Sequence, residues 1–418
     1  MLPSKSSVRN NCERRLRYAK ITPPKNAARG LPPLIRPDNN YRPNPNRAVH
    51  VQGVFDQALV DRLTPQIIAL HHQSRELITV FIDSRGGNTL VSETLRRLLT
   101  APNQDGDPIC RIITVVTGRA SSAAADLLSF GDYAVGYPGA TIFYHGVRYT
   151  LDDPLTLEKA SEFAESLRWR NDLFAMSLAK RSVARFVFRY AMMRPRFADF
   201  RTRSGNQDLA DLQCFLGVVG EHLSSPATRS LRQAQKRYER YESLVTRVVS
   251  RSARYRKFQK PGRQADFEEV VLREVIAAVA ARNKDSEWTF QRAGLAQLSD
   301  DFLLLLEYLS CYDGEDLQSV CVRWGNFFLT AEEQAELKAI EDDAERQRIN
   351  LEKCKPIIRP IWLFFVALCH SLQEGEENDL TAEDACWLGL IDEVIGLNDP
   401  VSVRSIVEWE PDDPPDQP

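Results

Sequence analysis

Two runs constrain this chain more than anything else in it. Leu77-Ile78-Thr79-Val80-Phe81-Ile82 and Ile112-Ile113-Thr114-Val115-Val116 are almost continuously apolar and β-branched, whereas a strand with one wet face alternates with a period of two. Runs of this kind fill a parallel sheet that is covered on both faces. Ala48 to Gly53 reads as a shorter strand, and Gln57 to His72 as a helix with Leu59, Leu63, Ile67 and Leu70 on one face. A second helix is expected over about Thr89 to Leu99. Strands and helices alternating at this spacing predict right-handed crossovers and an α/β fold with a mostly parallel sheet. Sites in such sheets form beyond the carboxyl ends of the strands. The turn at Ser84-Arg85-Gly86-Gly87-Asn88 and the stretch after Val116 are therefore expected to meet.

That second stretch, Thr117-Gly118-Arg119-Ala120-Ser121-Ser122-Ala123-Ala124-Ala125-Asp126-Leu127-Leu128, carries the chemistry. Gly118 permits a tight turn, the small residues permit close packing, and Ala123 to Leu128 starts a helix. Ser122 then stands at a helix N-terminus, where unpaired backbone N–H groups stabilise the oxyanion formed when a serine attacks a carbonyl. Thr141 to Tyr144 reads as a further strand and delivers His145, the lone histidine between His72 and His222. A serine hydroxyl attacks poorly until a neutral imidazole takes its proton. Outside this context Ser121-Ser122 is a helix cap and Gly86-Gly87 a turn; Ser121 is the alternative nucleophile.

Composition removes several other classes. A hydrophobic share of 43% against 27% charged residues over 418 residues supports a sizeable core and length for two domains. A net charge of -3 gives no global case for nucleic acid or membrane. The eight cysteines form no CxxC pair and no cluster with histidine, so reduced thiols, a cytoplasmic protein and no metal or cofactor are expected. The apolar run Ile357 to Leu368 is interrupted by Arg359 and Pro360 and is shorter than the roughly 18 residues of a membrane span.

Texture divides the rest. Residues 1–46 read as a disordered basic arm and 401–418 as an acidic, proline-rich tail. Helices are expected over Asn171 to Met192, Arg229 to Ser252, Phe267 to Arg282, Asp300 to Leu309, Ala331 to Cys354 and Ile361 to Leu372, separated by proline and glycine. Arg229 to Arg263 holds twelve Arg or Lys against two Glu. Pairing with the acidic Ala331 to Glu345 is one use of it, and docking of nucleic acid or an acidic protein is the other.

The segments Phe81-Ile82-Asp83-Ser84-Arg85-Gly86-Gly87, Gly118-Arg119-Ala120-Ser121-Ser122-Ala123 and Pro138 to His145 together resemble the proteolytic subunit of the Clp protease, in the superfamily that includes crotonase-like enzymes. Leu155 to Ser182 resembles that family's long helix, and Leu380-Thr381-Ala382 to Val394 its closing helix and strand. The chain departs from the family at Arg85, where proline is usual, and at Gly146-Val147, where Gln-Pro is usual. The resemblance implies a crotonase-like core over 47–185 and 375–400, interrupted by a large all-α insertion over 186–374. It implies a serine endopeptidase acting through an acyl-enzyme, with Ser122 as nucleophile and His145 as general base. Gly87 and Ala123 would donate the oxyanion-hole N–H groups. The orienting acid falls in Gly375-Glu376-Glu377-Asn378-Asp379, with Glu377 first and Asp379 second. A polypeptide substrate, homo-oligomeric rings and an ATP-dependent unfoldase partner are further implications. The rival expectation is a scaffold or adaptor that keeps the core and has lost catalysis.

Overall fold

In the computed structural model, residues 42–102, 110–148, 156–193, 207–251, 329, 331–374 and 378–396 are described. Strands β1 (Ala48–Phe55), β2 (Ile78–Gly87), β3 (Ile112–Ser121) and β4 (Tyr133–Gly136) lie in chain order, all parallel, and β7 (Glu393–Val394) adds parallel to β4. Helices α1 (Gln57–Gln73), α2 (Thr89–Leu99) and α3 (Ala123–Phe130) make the crossovers. Successive crossovers of one hand between neighbouring strands stack the helices on one face. Leu63, Ile67, Leu95 and Leu128 accordingly share one core with Val49, Val80 and Ile82. Ile113, Val115, Tyr133 and Val135 form a separate, smaller cluster. Both sets of residues on β3 are buried, which is why it reads as a continuous apolar run. The fold is mixed α/β with a mostly parallel sheet.

The sheet forks at β3. Ile113 to Val116 pair with β4, whereas Arg119 to Ser121 pair with β5 (Thr141–Tyr144), also parallel. A turn at Tyr137-Pro138-Gly139-Ala140 makes the switch: Tyr137 N–H donates to Val116 O at 2.9 Å, and Ala140 N–H to Tyr137 O at 3.0 Å. Proline in second place and a φ of 77° at Gly139 are the chemistry of a type II turn. On its other side β5 pairs antiparallel with β6 (Asn378–Thr381). The expected tight turn at Gly118 is absent, because β3 runs on to Ser121. Gly118 serves close approach instead, since a Cβ there would lie 2.8 Å from Asp83 Oδ1. Likewise β2 continues through the expected turn as far as Gly87.

Six further helices follow: α4 (Leu157–Met193), α5 (Gln207–His222), α6 (Ser225–Arg251), α7 (Ala331–Lys338), α8 (Asp343–Glu374) and α9 (Ala382–Trp387). The segments Leu155 to Ser182 and Asn171 to Met192 thus join into the single α4. Ala331 to Cys354 and Ile361 to Leu372 are not two separate helices as expected. The break falls between α7 and α8, and α8 passes through both Pro356 and Pro360. Each proline removes a backbone hydrogen bond, but α8 is packed against α4 and α6. Trp362, Phe364, Phe365, Val366, Leu368 and Leu372 are all buried, so this part of α8 is apolar around its circumference, as a helix at the centre of a core must be. Phe267 to Arg282 and Asp300 to Leu309 lie outside the described residues. Lys353 of α8 pairs with Glu336 of α7 at 2.9 Å and with Glu333 at 3.8 Å, which matches part of the acidic segment locally. Among the described residues no helix is long and apolar enough to cross a membrane.

Buried polar links tie the closing segment to the helices. Arg185 of α4 donates through Nε to Asp392 at 2.8 Å, and its remaining groups reach the carbonyls of Ser129 and Gly131. Thr381 and Asp384 cap α9 reciprocally, and Asp384 also accepts from Ser224 N and Oγ at 2.8 and 2.6 Å.

Candidate active site

Strand β3 ends at Ser121 and α3 begins at Ala123, so the reversal of the chain falls on Ser122. Its φ of 57° and ψ of -126° make it the one non-glycine residue with positive φ among the described residues. A conformation of this kind costs of order 1–3 kcal/mol and persists where the surroundings hold it. Here Ser122 N–H donates to Phe143 O at 2.8 Å, and Ser122 O accepts from Ala125 and Asp126 N–H at 2.9 and 3.2 Å. A serine preceding a helix normally caps it through its hydroxyl. Ser122 makes no such bond, and it lines a cavity instead.

Glycine is required beside it. A Cβ on Gly86, whose φ is 83°, would lie 2.3 Å from Ser121 O and 2.9 Å from Ser122 Cβ. The two loops therefore meet, as the strand order requires. Gly87 has φ of 147°, and a Cβ there would strike Phe55 O at 2.8 Å. Ala123 opens α3, so its N–H belongs to the first turn and has no partner within the helix. Ser92 of α2 donates to Ala123 O at 3.0 Å, which anchors the following peptide in the first turn of α3.

His145 follows β5, and its Nδ1 lies 2.6 Å from Gly146 O. A carbonyl only accepts, so this contact places the proton on Nδ1 and leaves the Nε2 lone pair of a neutral ring available. The loop that carries the ring rests on two distant helices. Val147 N–H donates to Asn171 Oδ1 of α4 at 2.7 Å. A Cβ on Gly146 would lie 2.8 Å from Gln373 O of α8 and 2.9 Å from Asn171 Nδ2.

Gly87, Ser122 and His145 line one cavity of about 470 Å³, together with Arg85, Asp126, Arg148, Arg170, Phe174 and Gln373. This volume lies within the usual range of small-ligand pockets. Asp126 stands one helical turn after Ser122, and desolvation raises its pKa from 3.8 to about 6, against the attraction of Arg181. Arg181 also donates to the Asp126 backbone carbonyl at 3.2 Å. The sequence reading passed over Asp126, although a lone carboxylate inside Ala123-Ala124-Ala125-Asp126-Leu127-Leu128 was a usable signal. Nothing local distinguished Asn171 or Gln373.

The alternative nucleophile, Ser121, is differently placed. Ser121 is buried, and its hydroxyl accepts from Arg119 Nε at 2.7 Å. Of the two acids, Glu377 lies outside the described residues. Asp379 sits opposite Phe143 on β6, its side chain is 59% exposed, and its charge faces Arg119 at 3.9 Å. His370, buried in α8, is held neutral by desolvation, with a pKa lowered to about 3. Among the described residues no group of three or more His, Cys, Asp or Glu side chains could hold a metal ion.

No family model matches the chain, and no curated protein matches it. Among solved structures, a mutant of ClpP1 from Listeria monocytogenes is similar over 32% of this chain and 72% of that chain, with 18% identity and a TM-score of 0.28.

Proposed function

We propose that this chain is a serine endopeptidase with a core like that of the Clp proteolytic subunit and crotonase-like proteins, with Ser122 as its nucleophile. One observation carries the reading. Ser122 holds a strained strand-to-helix turn, leaves its hydroxyl uncapped, and shares a cavity with His145. A turn of this kind presents a nucleophilic oxygen at the end of a strand, with the next N–H ready for an oxyanion.

In the proposed reaction, Nε2 of His145 takes the proton of Ser122 as Oγ attacks the peptide carbonyl. The N–H groups of Ala123 and Gly87 stabilise the oxyanion. The same imidazole then protonates the leaving amine, and water activated by His145 releases the acyl group. The Gly146 carbonyl supports the required tautomer. Glu377 is the first candidate for an orienting carboxylate and Asp379 the second. In this proposal the core comprises 47–185 and 375–400, and 186–374 is an insertion. The resemblance extends the proposal to a homo-oligomer fed with polypeptide by an ATP-dependent partner in the cytoplasm.

A non-catalytic scaffold is the second reading. It is favoured by the exposure of Asp379 and its engagement with Arg119. A fluorophosphonate probe separates the two. Labelling of the full chain that is lost in Ser122→Ala supports the peptidase, and absence of labelling in the assembled protein rejects it.

A further inference from the structure

We infer that Arg85 and Arg148 form a clamp for a substrate carboxylate, so that the site selects polypeptides carrying Asp or Glu beside the scissile bond. This inference rests on the Ser122 reading and names its substrate class.

Arg85 closes the end of β2 immediately before Gly86-Gly87, and Arg148 lies three residues after His145; both line the cavity that contains Ser122. The clamp thus flanks the site from the segment that carries Gly87 and the loop that carries His145. Both side chains belong to exposed residues, and neither has a hydrogen bond or ion pair with any described residue. Other arginines of the core are matched: Arg96 and Arg97 to Glu93, Arg119 to Asp379 and Arg185 to Asp392.

The charge of the lining agrees. Among the described residues Asp126 is its one carboxylate, against Arg85, Arg148 and Arg170. A cationic side chain entering this space meets repulsion from three guanidinium groups, whereas a carboxylate meets planar donor forks that match its two oxygens. Arg85 and Arg148, unmatched among the described residues, also draw an anionic ligand from a distance, in a salt-dependent way.

The test uses the full chain and fluorogenic peptides that differ only at the residues flanking the cleaved bond, Asp or Glu against Asn or Gln. The acidic peptide should be favoured about tenfold or more in kcat/KM. In the Arg85→Ala/Arg148→Ala chain that ratio should fall towards one, with the loss in KM for the acidic peptide. Equal rates for both peptides with the natural chain, or a ratio that survives the double substitution, overturn the clamp. Fluorophosphonate labelling run in parallel reports on Ser122 separately: labelling without acid preference overturns the clamp alone. If no turnover is seen, anisotropy of the same peptides, fluorescently labelled, on Ser122→Ala decides. Preferential binding of the acidic peptide that is lost in the arginine variant upholds the clamp, and equal or absent binding overturns it.

Discussion

Replacing Asp126 by asparagine should stabilise the protein at neutral pH. The carboxyl is taken out of water beside Ser122, and its pKa rises from 3.8 to about 6 even though Arg181 attracts the ionised form. The folded chain therefore holds the Asp126 proton more tightly than the unfolded chain does. Stability is lost as pH rises from about 4 to 6, and the penalty is complete above that range. At about 1.4 kcal/mol per pH unit the full penalty is about 3 kcal/mol. Asp126 is half-buried and lines the cavity, so solvent screening discounts this, and about 1–3 kcal/mol should be recovered in Asp126→Asn at pH 8. Domains of this size gain roughly 2–4 °C in Tm per kcal/mol. Thermal unfolding of both chains at a series of pH values from 4 to 8 gives the difference directly. It should be small at pH 4, where the folded-state aspartate is protonated and the unfolded one about half so, and should open towards its full size between pH 4 and 6. A difference of one size at all pH values, or an asparagine variant less stable at pH 8, would refute the reasoning.

Three other outcomes follow from the geometry. Gly86→Ala places a methyl group 2.3 Å from Ser121 O at a φ of 83°; displacing the Ser122 turn should cut fluorophosphonate labelling by about a hundredfold, with circular dichroism showing whether the chain still folds. Arg185→Met strands Asp392, whose side chain is 2% exposed, and should cost about 3–5 kcal/mol; adding Asp392→Asn should return much of it in the same thermal assay. Thr381→Ala removes the side chain that caps α9 and should lower stability by about 1 kcal/mol, while Thr381→Ser should not.

Local pattern alone located β1 to β3, α1 and α2, because burial on both sheet faces and a 3.6-residue period each leave a mark within a dozen residues. The serine and histidine could also be picked out, each by its place after a strand. The boundaries within 331–374 could not. Whether Pro356 and Pro360 end a helix depends on packing against α4 and α6, which are remote in sequence. β6 was missed because four residues carry too little periodicity, and its pairing with β5 spans more than 230 positions.

The sequence by itself determined the alternation of β1, α1, β2, α2 and β3 and placed Ser122 at the junction of one strand with one helix. Only the tertiary structure decided that Gly118 extends a strand and that Ser122 carries the positive φ and an uncapped hydroxyl. It also decided that Asp126, Arg85 and Arg148 share the cavity, and that Asn171 and Gln373 seat the histidine loop. The physical reason is range. Periodicity and turn chemistry act between neighbours in the chain, while a cavity is assembled from residues that only close packing brings together.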